Sequence, residues 1–305
     1  MIFRHKYRGG VWVDLEHPTE EDVRSVTKEF SIGERLEAEL FSPTLEPLVA
    51  SDAGVIFLVI HFPANGTTDG EMRDQEIDLL VGEGFIITVR YEVVAPLHRL
   101  QKLLAAHQLI SPHDGITTDA LLEILFAHLY TSVRDHIHTI ADRLTSVERD
   151  MFNGLEHTTV RAISNISREF LHIEASLANQ GGPLEHFMKA LSSKDFLEKS
   201  FDDRSVRILA ERTQAVRLAT TYRAVATELR ETNASLLEAR QNEIMKTLTV
   251  VTFIFLPLEL ITFVFGMHAL GTPLEQNPNA FWIIAALMFI VGIGMTLYLN
   301  LRRWL

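Results

Sequence analysis

A single carboxylate, Glu259, stands near the middle of an apolar run from Leu248 to Phe265. Ionisable groups in such runs face a bundle interior or a water-filled cavity, because exposing them to lipid costs several kcal/mol. The residues around it repeat. Asn242, Thr249, Leu256 and Phe263 are spaced by seven, and Thr252 and Glu259 form a second seven-residue row beside them. Seven residues is about two helical turns, so each row keeps to one narrow face. Amide, hydroxyl and carboxylate oxygens on one face suit a hydrated divalent cation, which keeps several waters and binds through few oxygen ligands. Pro257 contributes in another way: it has no N–H to give the carbonyl of Phe253, one turn above Thr249. The competing chemistry is helix packing, with threonine hydroxyls bonded to their own backbone and one glutamate held uncharged between helices.

A second candidate lies earlier. Asp135, His138 and Asp142 fall at i, i+3 and i+7, on one helix face, and could hold a divalent ion. His128, His136, His157 and His172 lie on the same helical pair. The alternative is a solvated or core-satisfied histidine face, because a metal site needs a closed ligand set that one helix face does not display. The absence of cysteine excludes disulfides and thiolate metal sites. Gly82-Glu83-Gly84 lacks the third glycine and following helix of a dinucleotide site, and no phosphate-loop sequence occurs. No nucleophile–base pair or His-Glu-x-x-His motif is visible, so an enzyme is not expected. No cofactor is expected beyond transported or regulatory divalent cations: Mg²⁺, Zn²⁺, Co²⁺ or Ni²⁺.

The elements that must position Glu259 are two apolar runs, Leu248–Phe265 and Ala280–Leu299. Each reaches the roughly 18–20 residues a helix needs to cross a bilayer core of about 30 Å. The expected organisation is a transmembrane helix over 248–267, an external loop over 268–279, a second transmembrane helix over 280–301 and a basic tail over 302–305. Arg240 and Lys246 precede the first span, and Arg302 and Arg303 follow the second; the loop holds only Glu275. Positive-inside then places both chain ends in the cytoplasm of a multi-pass protein of the plasma (inner) membrane. Trp282 and Trp304 are expected as interfacial anchors. A two-helix hairpin cannot enclose a hydrophilic path, so several copies must form a ring with the Asn242–Phe263 face on its axis.

The run Asn242-Glu243-Ile244-Met245-Lys246-Thr247-Leu248-Thr249, then Pro257, then Phe265-Gly266-Met267-His268, resembles the CorA family of divalent-cation transporters, the two-span Gly-x-Asn class. Gly271-Thr272-Pro273 and Phe281-Trp282 look more like its ZntB branch. His268 stands where the family carries Asn. The resemblance implies a funnel-shaped homopentamer with the α/β domains outermost and conduction along the first span. His268 at the outer mouth adds imidazole ligands, which suit Zn²⁺, Co²⁺ or Ni²⁺ better than Mg²⁺. The same substitution keeps open a transport-inactive relative, a membrane scaffold or sensor with the Leu256 and Phe263 rings closing the axis.

The 305-residue chain carries 40 Asp and Glu against 28 Lys and Arg, a net charge of −12. From Glu243 onward, Glu243, Glu259 and Glu275 cancel Lys246, Arg302 and Arg303, so the whole excess lies before the spans. Nucleic acid is therefore not an expected partner; the partners are the lipid bilayer, divalent ions and further copies of the chain. Met1–Tyr7 holds no apolar h-region, so no cleaved signal peptide is expected. Residues 1–112 alternate strand and helix patterns. Val11–Leu15, Gly54–Ile60, Ile77–Val81 and Phe85–Val89 read as strands, the last two as a hairpin. Thr19 caps a helix to about Phe30, and a further helix runs from Pro96 to His107. The expected fold is an α/β (α+β) cytoplasmic domain, then long helices, then the C-terminal hairpin. In the helical region, 113–200, Thr118 caps a helix to about Phe152, another runs from about Thr158 to Asn179 and stops at Gly181-Gly182-Pro183, and a short piece covers Leu184–Leu191. A stalk helix over 201–247 continues into the first span, with Ile208, Ala215, Ala219, Tyr222, Ala226, Leu229, Leu236 and Leu237 as its apolar stripe.

Overall fold

Strand patterning in the first part of the chain produces one sheet in the computed structural model, which describes residues 1–64, 72–110, 115–198, 200–267 and 278–302. Among these the strands are β1 (Ile2–Tyr7), β2 (Gly10–Glu16), β3 (Leu48–Asp52), β4 (Val55–Pro63), β5 (Asp74–Gly82) and β6 (Phe85–Arg90). Their order is β1-β2-β6-β5-β4-β3. All neighbours are antiparallel except β2 and β6, where Val11 pairs with Phe85 and Glu16 with Arg90 in parallel register. The expected hairpin forms: Gly82 pairs with Phe85 around Glu83-Gly84, and Gly84 takes φ +78°, which glycine adopts without steric cost.

Alternation sends the two sheet faces to different partners. Val13, Leu15, Phe57, Val59, Leu80, Ile87 and Val89 pack beneath Val23 and Val26 of α1 (Glu20–Glu29) and Leu36 of α2 (Glu34–Glu39). The opposite face of β2 and β6 carries Asp14, Thr88 and Arg90, all buried. There Arg90 Nε and Nη2 donate to Asp14 Oδ2 at 3.0 and 2.9 Å, and Nη2 lies 2.6 Å from Glu16 Oε2. The Thr88 hydroxyl and the Gln101 amide of α3 (Ala95–Ile110) also donate to Asp14.

The helices that follow in this part of the chain are α4 (Thr118–Phe152), α5 (Glu156–Asn179), α6 (Gly181–Ser192) and α7 (Phe201–Gly266). The chain divides into two units, Met1–Arg230 and Glu231–Leu305. The segments 1–112 and 113–200 thus share one unit with the start of α7. That stretch of α7 buries Ile208, Ala215, Ala219, Ala226 and Leu229 of the expected stripe, and Tyr222 stacks on Phe170 at 5.8 Å. Arg204 bonds Asp119 at 2.7 Å, and Arg223 bonds Glu174 at 2.7 Å. In the second unit Leu236 and Leu237 are half-buried.

Thr19 caps α1 as its position requires. Its hydroxyl accepts from the Asp22 N–H at 3.2 Å and the Asp22 carboxylate accepts from the Thr19 N–H at 3.0 Å, a complete capping box. Those bonds hold the Asp22 carboxyl below the usual carboxylate range. Thr19→Ala is expected to destabilise the protein by about 1 kcal/mol, read from denaturant midpoints, with Thr19→Ser close to neutral.

Several expectations are corrected. The α4 N-cap is Thr117, not Thr118. Helix α5 ends at Asn179 as expected, but α6 begins at Gly181 and not Leu184: Gln180 keeps αR geometry, and Pro183 sits in a first turn, where an N–H has no helical acceptor. Helix α5 begins at Glu156, two residues earlier than expected. β1, β3 and α2 were not anticipated. β1 and β3 are the two sheet edges, and β1 carries Arg4, His5 and Lys6, which mask its strand pattern.

Candidate functional site

The second unit holds the rest of α7 and α8 (Ala280–Leu301), and both α7 and α8 are long and apolar enough to cross a membrane. They meet along one side of α7. Val250 and Leu299 are buried there, a Cβ placed on Gly292 would meet Leu258 Cδ1 at 3.9 Å, and the Thr262 hydroxyl lies 3.8 Å from Met288 Sδ. Counted at about 100° per residue, both seven-residue rows lie roughly opposite that side. Asn242, Thr249, Thr252, Leu256, Glu259 and Phe263 are all exposed on the single chain. Leu256 is 61% and Phe263 69% exposed, more than a helix flank with a settled neighbour would leave. Thr249 also borders a groove with Phe253, Tyr298 and Arg302 at one end of the pair.

The hydroxyl chemistry of the rows is directional. Thr249 Oγ1 donates to the Met245 carbonyl at 2.8 Å and Thr252 Oγ1 to the Leu248 carbonyl at 2.9 Å. With its proton spent on the helix, each hydroxyl oxygen offers only lone pairs outward. Glu259 adds a formal negative charge to the same side. Pro257 lies inside α7 without breaking it. This face therefore presents acceptors, which suits cations. Gly266 ends α7, and the Met267 N–H donates to the Phe263 carbonyl at 3.0 Å. His268 and Glu275, expected at the outer mouth, lie outside the described residues.

Comparison with known proteins bears on what such a face belongs to. Residues 7–303 match the family described as CorA-like Mg²⁺ transporter protein. The chain belongs to the CorA family. The cobalt/magnesium transport protein CorA of Methanocaldococcus jannaschii is 22% identical over 290 residues, covering 92% of this chain and 87% of that protein. The complete structure of the CorA magnesium transporter from the same organism superposes with a TM-score of 0.81 at 21% identity, covering 97% of this chain and 92% of the other. The cytoplasmic domain of ZntB from Vibrio parahaemolyticus has a TM-score of 0.61 at 14% identity, covering 76% and 89%. The CorA family consists of transporters and not enzymes, and the CorA-like fold expected for this chain is the one it adopts: a mixed α/β domain, a long helix and C-terminal apolar helices.

Elsewhere in this CorA-family chain the first unit does not gather the ligand set considered above. Asp135, His138 and Asp142 are exposed on α4, with His138 set edge-on to Tyr222 at 6.3 Å. Among the described residues no group of three or more His, Asp or Glu side chains is placed to hold a metal ion. The reason is geometric: one helix face supplies three side chains but no closing ligand from a second element.

A different polar cluster went unread. Asp74, Glu76 and Asp78 alternate along β5 and so share one sheet face, a period-two signal present in the sequence. Glu76 accepts from the Thr44 N–H at 2.9 and 2.8 Å and lies 3.3 Å from His61 Nε2. Hydrogen bonding to Glu76 raises His61 above the ordinary imidazole value despite burial, and the Thr44 carbonyl adds to the rise. Burial, then the Glu76 charge, pushes Asp78 well above the carboxylate range, although the Tyr91 hydroxyl donates to it at 2.8 Å. Both groups hold their protons more tightly folded than unfolded. Their stabilisation is complete below the unfolded values and is lost as pH rises through the folded ones. For His61 the loss begins above about pH 6.5. Between about pH 6 and 9, wild type is expected to lose more unfolding free energy than His61→Gln; parallel stability curves would remove His61 from this linkage.

Proposed function

We propose that this chain is a divalent-cation channel or transporter of the plasma (inner) membrane, assembled as a homopentamer with both termini cytoplasmic. The observation that carries the proposal is the side of α7 turned away from α8. It presents Asn242, Thr249, Thr252 and Glu259 in two rows, all left exposed among the described residues. Copies around an axis would cover that face and join its acceptors into rings. Membership of the CorA family and the name of the M. jannaschii relative, a cobalt/magnesium transport protein, support the same ion class.

The cargo proposed is Mg²⁺, Zn²⁺, Co²⁺ or Ni²⁺. Amide, hydroxyl and carboxylate oxygens fit a cation that keeps several waters. His268, where the family motif has Asn, adds a nitrogen ligand that favours the transition metals. The test is flux into liposomes that contain only this protein, with the four ions supplied one at a time. Saturable entry of at least one ion is expected. The alternative, a transport-inactive scaffold or sensor, draws on the large apolar side chains of Leu256 and Phe263 in the row. It requires that none of the four ions enters, while the ring still assembles.

A further inference from the structure

The groove at one end of the α7–α8 pair has a volume of about 360 Å³ and lies wholly within the second unit. Small-molecule sites occupy about 300–1,000 Å³. Val250 and Leu299 are buried at its floor. Phe253 of α7 and Tyr298 of α8 form its walls, each about half exposed, and Arg302 stands at its mouth. Counted at about 100° per residue, this flank of α7 lies between the side that meets α8 and the Thr249 row.

Two cations mark this end of the pair. Lys246, Val250 and Phe253 fall at i, i+4 and i+7, so Lys246 stands on the face of the groove one turn outside it. Arg302 follows Tyr298 by four residues, and its guanidinium lies over the Tyr298 ring, 5.9 Å from the centroid. That contact uses the charge of the guanidinium and none of its N–H donors. Among the described residues neither Lys246 nor Arg302 forms an ion pair. Glu243, the next carboxylate along α7, is exposed about a turn further out. At the opposite end of the pair the described residues, 263–267 and 278–282, carry no charge at all.

We propose that this groove binds one anionic phospholipid, with its phosphodiester on Arg302 and Lys246 and part of an acyl chain against Val250, Phe253 and Leu299. Apolar surface alone selects no headgroup; a basic pocket between membrane helices does. The planar guanidinium fork matches phosphate oxygens, and the lysine adds a mobile point charge. The competing occupant is a helix of a second copy. At this level a second copy presents the same Lys246 and Arg302 against the single carboxylate of Glu243, so it leaves positive charge in excess. A phospholipid supplies the missing negative charge. The site requires the helix pair to lie in a membrane, and it is independent of whether any ion is moved.

The experiment is native mass spectrometry of the full chain released from detergent, with phosphatidylglycerol, phosphatidylcholine or inorganic phosphate added. Phosphatidylglycerol should saturate at one retained molecule per chain. Phosphatidylcholine should bind at least tenfold more weakly, and inorganic phosphate should not be retained. Near a membrane surface each cation contributes about fivefold to the binding of an anionic lipid. The double variant Lys246→Gln/Arg302→Gln should therefore weaken phosphatidylglycerol at least tenfold, to the level of phosphatidylcholine. Both positions are exposed, so the variant should keep the wild-type melting temperature. Arg217→Gln, an exposed position in the first unit, should bind as wild type. Retention without saturation, equal affinity for the two lipids, or unchanged affinity in the double variant overturns the proposal. Inorganic phosphate retained as well as phosphatidylglycerol would overturn the apolar half of the site. The chain has no cysteine, so Phe253→Cys tests the other occupant. Rapid disulfide formation between copies, with no lipid retained by wild type, would assign the groove to a second copy and overturn the lipid site.

Discussion

Glu259→Gln is expected to cut divalent-cation flux at least tenfold in reconstituted vesicles while leaving the assembly intact. Glutamine keeps the volume and a carbonyl oxygen but removes the charge. The side chain lies exposed on the side of α7 away from α8, so a ring of copies would place one carboxylate per subunit near a common axis. A unit-charge pair at about 4 Å gains roughly 4 kcal/mol at an effective dielectric near 20, and a divalent ion doubles the charge product. Losing even a small part of that attraction in every subunit accounts for tenfold, which corresponds to about 1.4 kcal/mol. Packing alone would make the same change nearly silent. Wild-type flux in Glu259→Gln, with assembly checked by cross-linking, would remove Glu259 from the ion path.

Asp14→Ala should be the most destabilising single change in the first unit, at about 3–5 kcal/mol. Asp14 and Arg90 are each 1% exposed, and the guanidinium depends on Asp14 for two of its hydrogen bonds. Glu16 remains after the substitution but lies further out, with a side chain 20% exposed. The alanine therefore leaves a buried cation with half its counter-charge, and also strips the Thr88 hydroxyl and the Gln101 amide of their acceptor. Unfolding in urea, followed by far-UV circular dichroism, measures the loss. The double variant Asp14→Ala/Arg90→Leu should recover part of it, because no unpaired charge is then buried. A loss below about 1 kcal/mol in Asp14→Ala would mean that water reaches Arg90.

Much of this follows from local residue chemistry, and the remainder depends on distant pairings. The Thr19 cap, the Gly84 turn and the two apolar helices are set by neighbours along the chain, so sequence alone reveals them. The Asn242–Phe263 and Thr252–Glu259 rows were visible because helical periodicity fixes which residues share a face. Their side opposite α8 was not, since it depends on which residues of α7 meet Gly292 and Met288. Asp14 and Arg90 are far apart in sequence, and nothing near either foretells a buried pair. The Asp135–His138–Asp142 stripe shows the converse: periodicity aligns side chains on one face without supplying a ligand from a second element, and among the described residues none closes the set.

The parallel pairing of β2 with β6 has a consequence for how the protein is made. Thr88 and Asp14, which face each other across that pair, are 74 residues apart in sequence. The β1–β2 hairpin can form as soon as it leaves the ribosome, but it has no neighbour to dock on until β6 has followed. Forming such a long-range contact costs loop-closure entropy before it returns any binding, so this step is slow compared with hairpin formation. At about 5–20 residues per second, the interval between synthesis of Arg90 and of Leu248 is roughly 8–30 s. The sheet thus has time to close while the apolar run of α7 is still unmade. The order of synthesis keeps the unpaired β2 edge from coexisting with exposed apolar segments, two features that each favour aggregation.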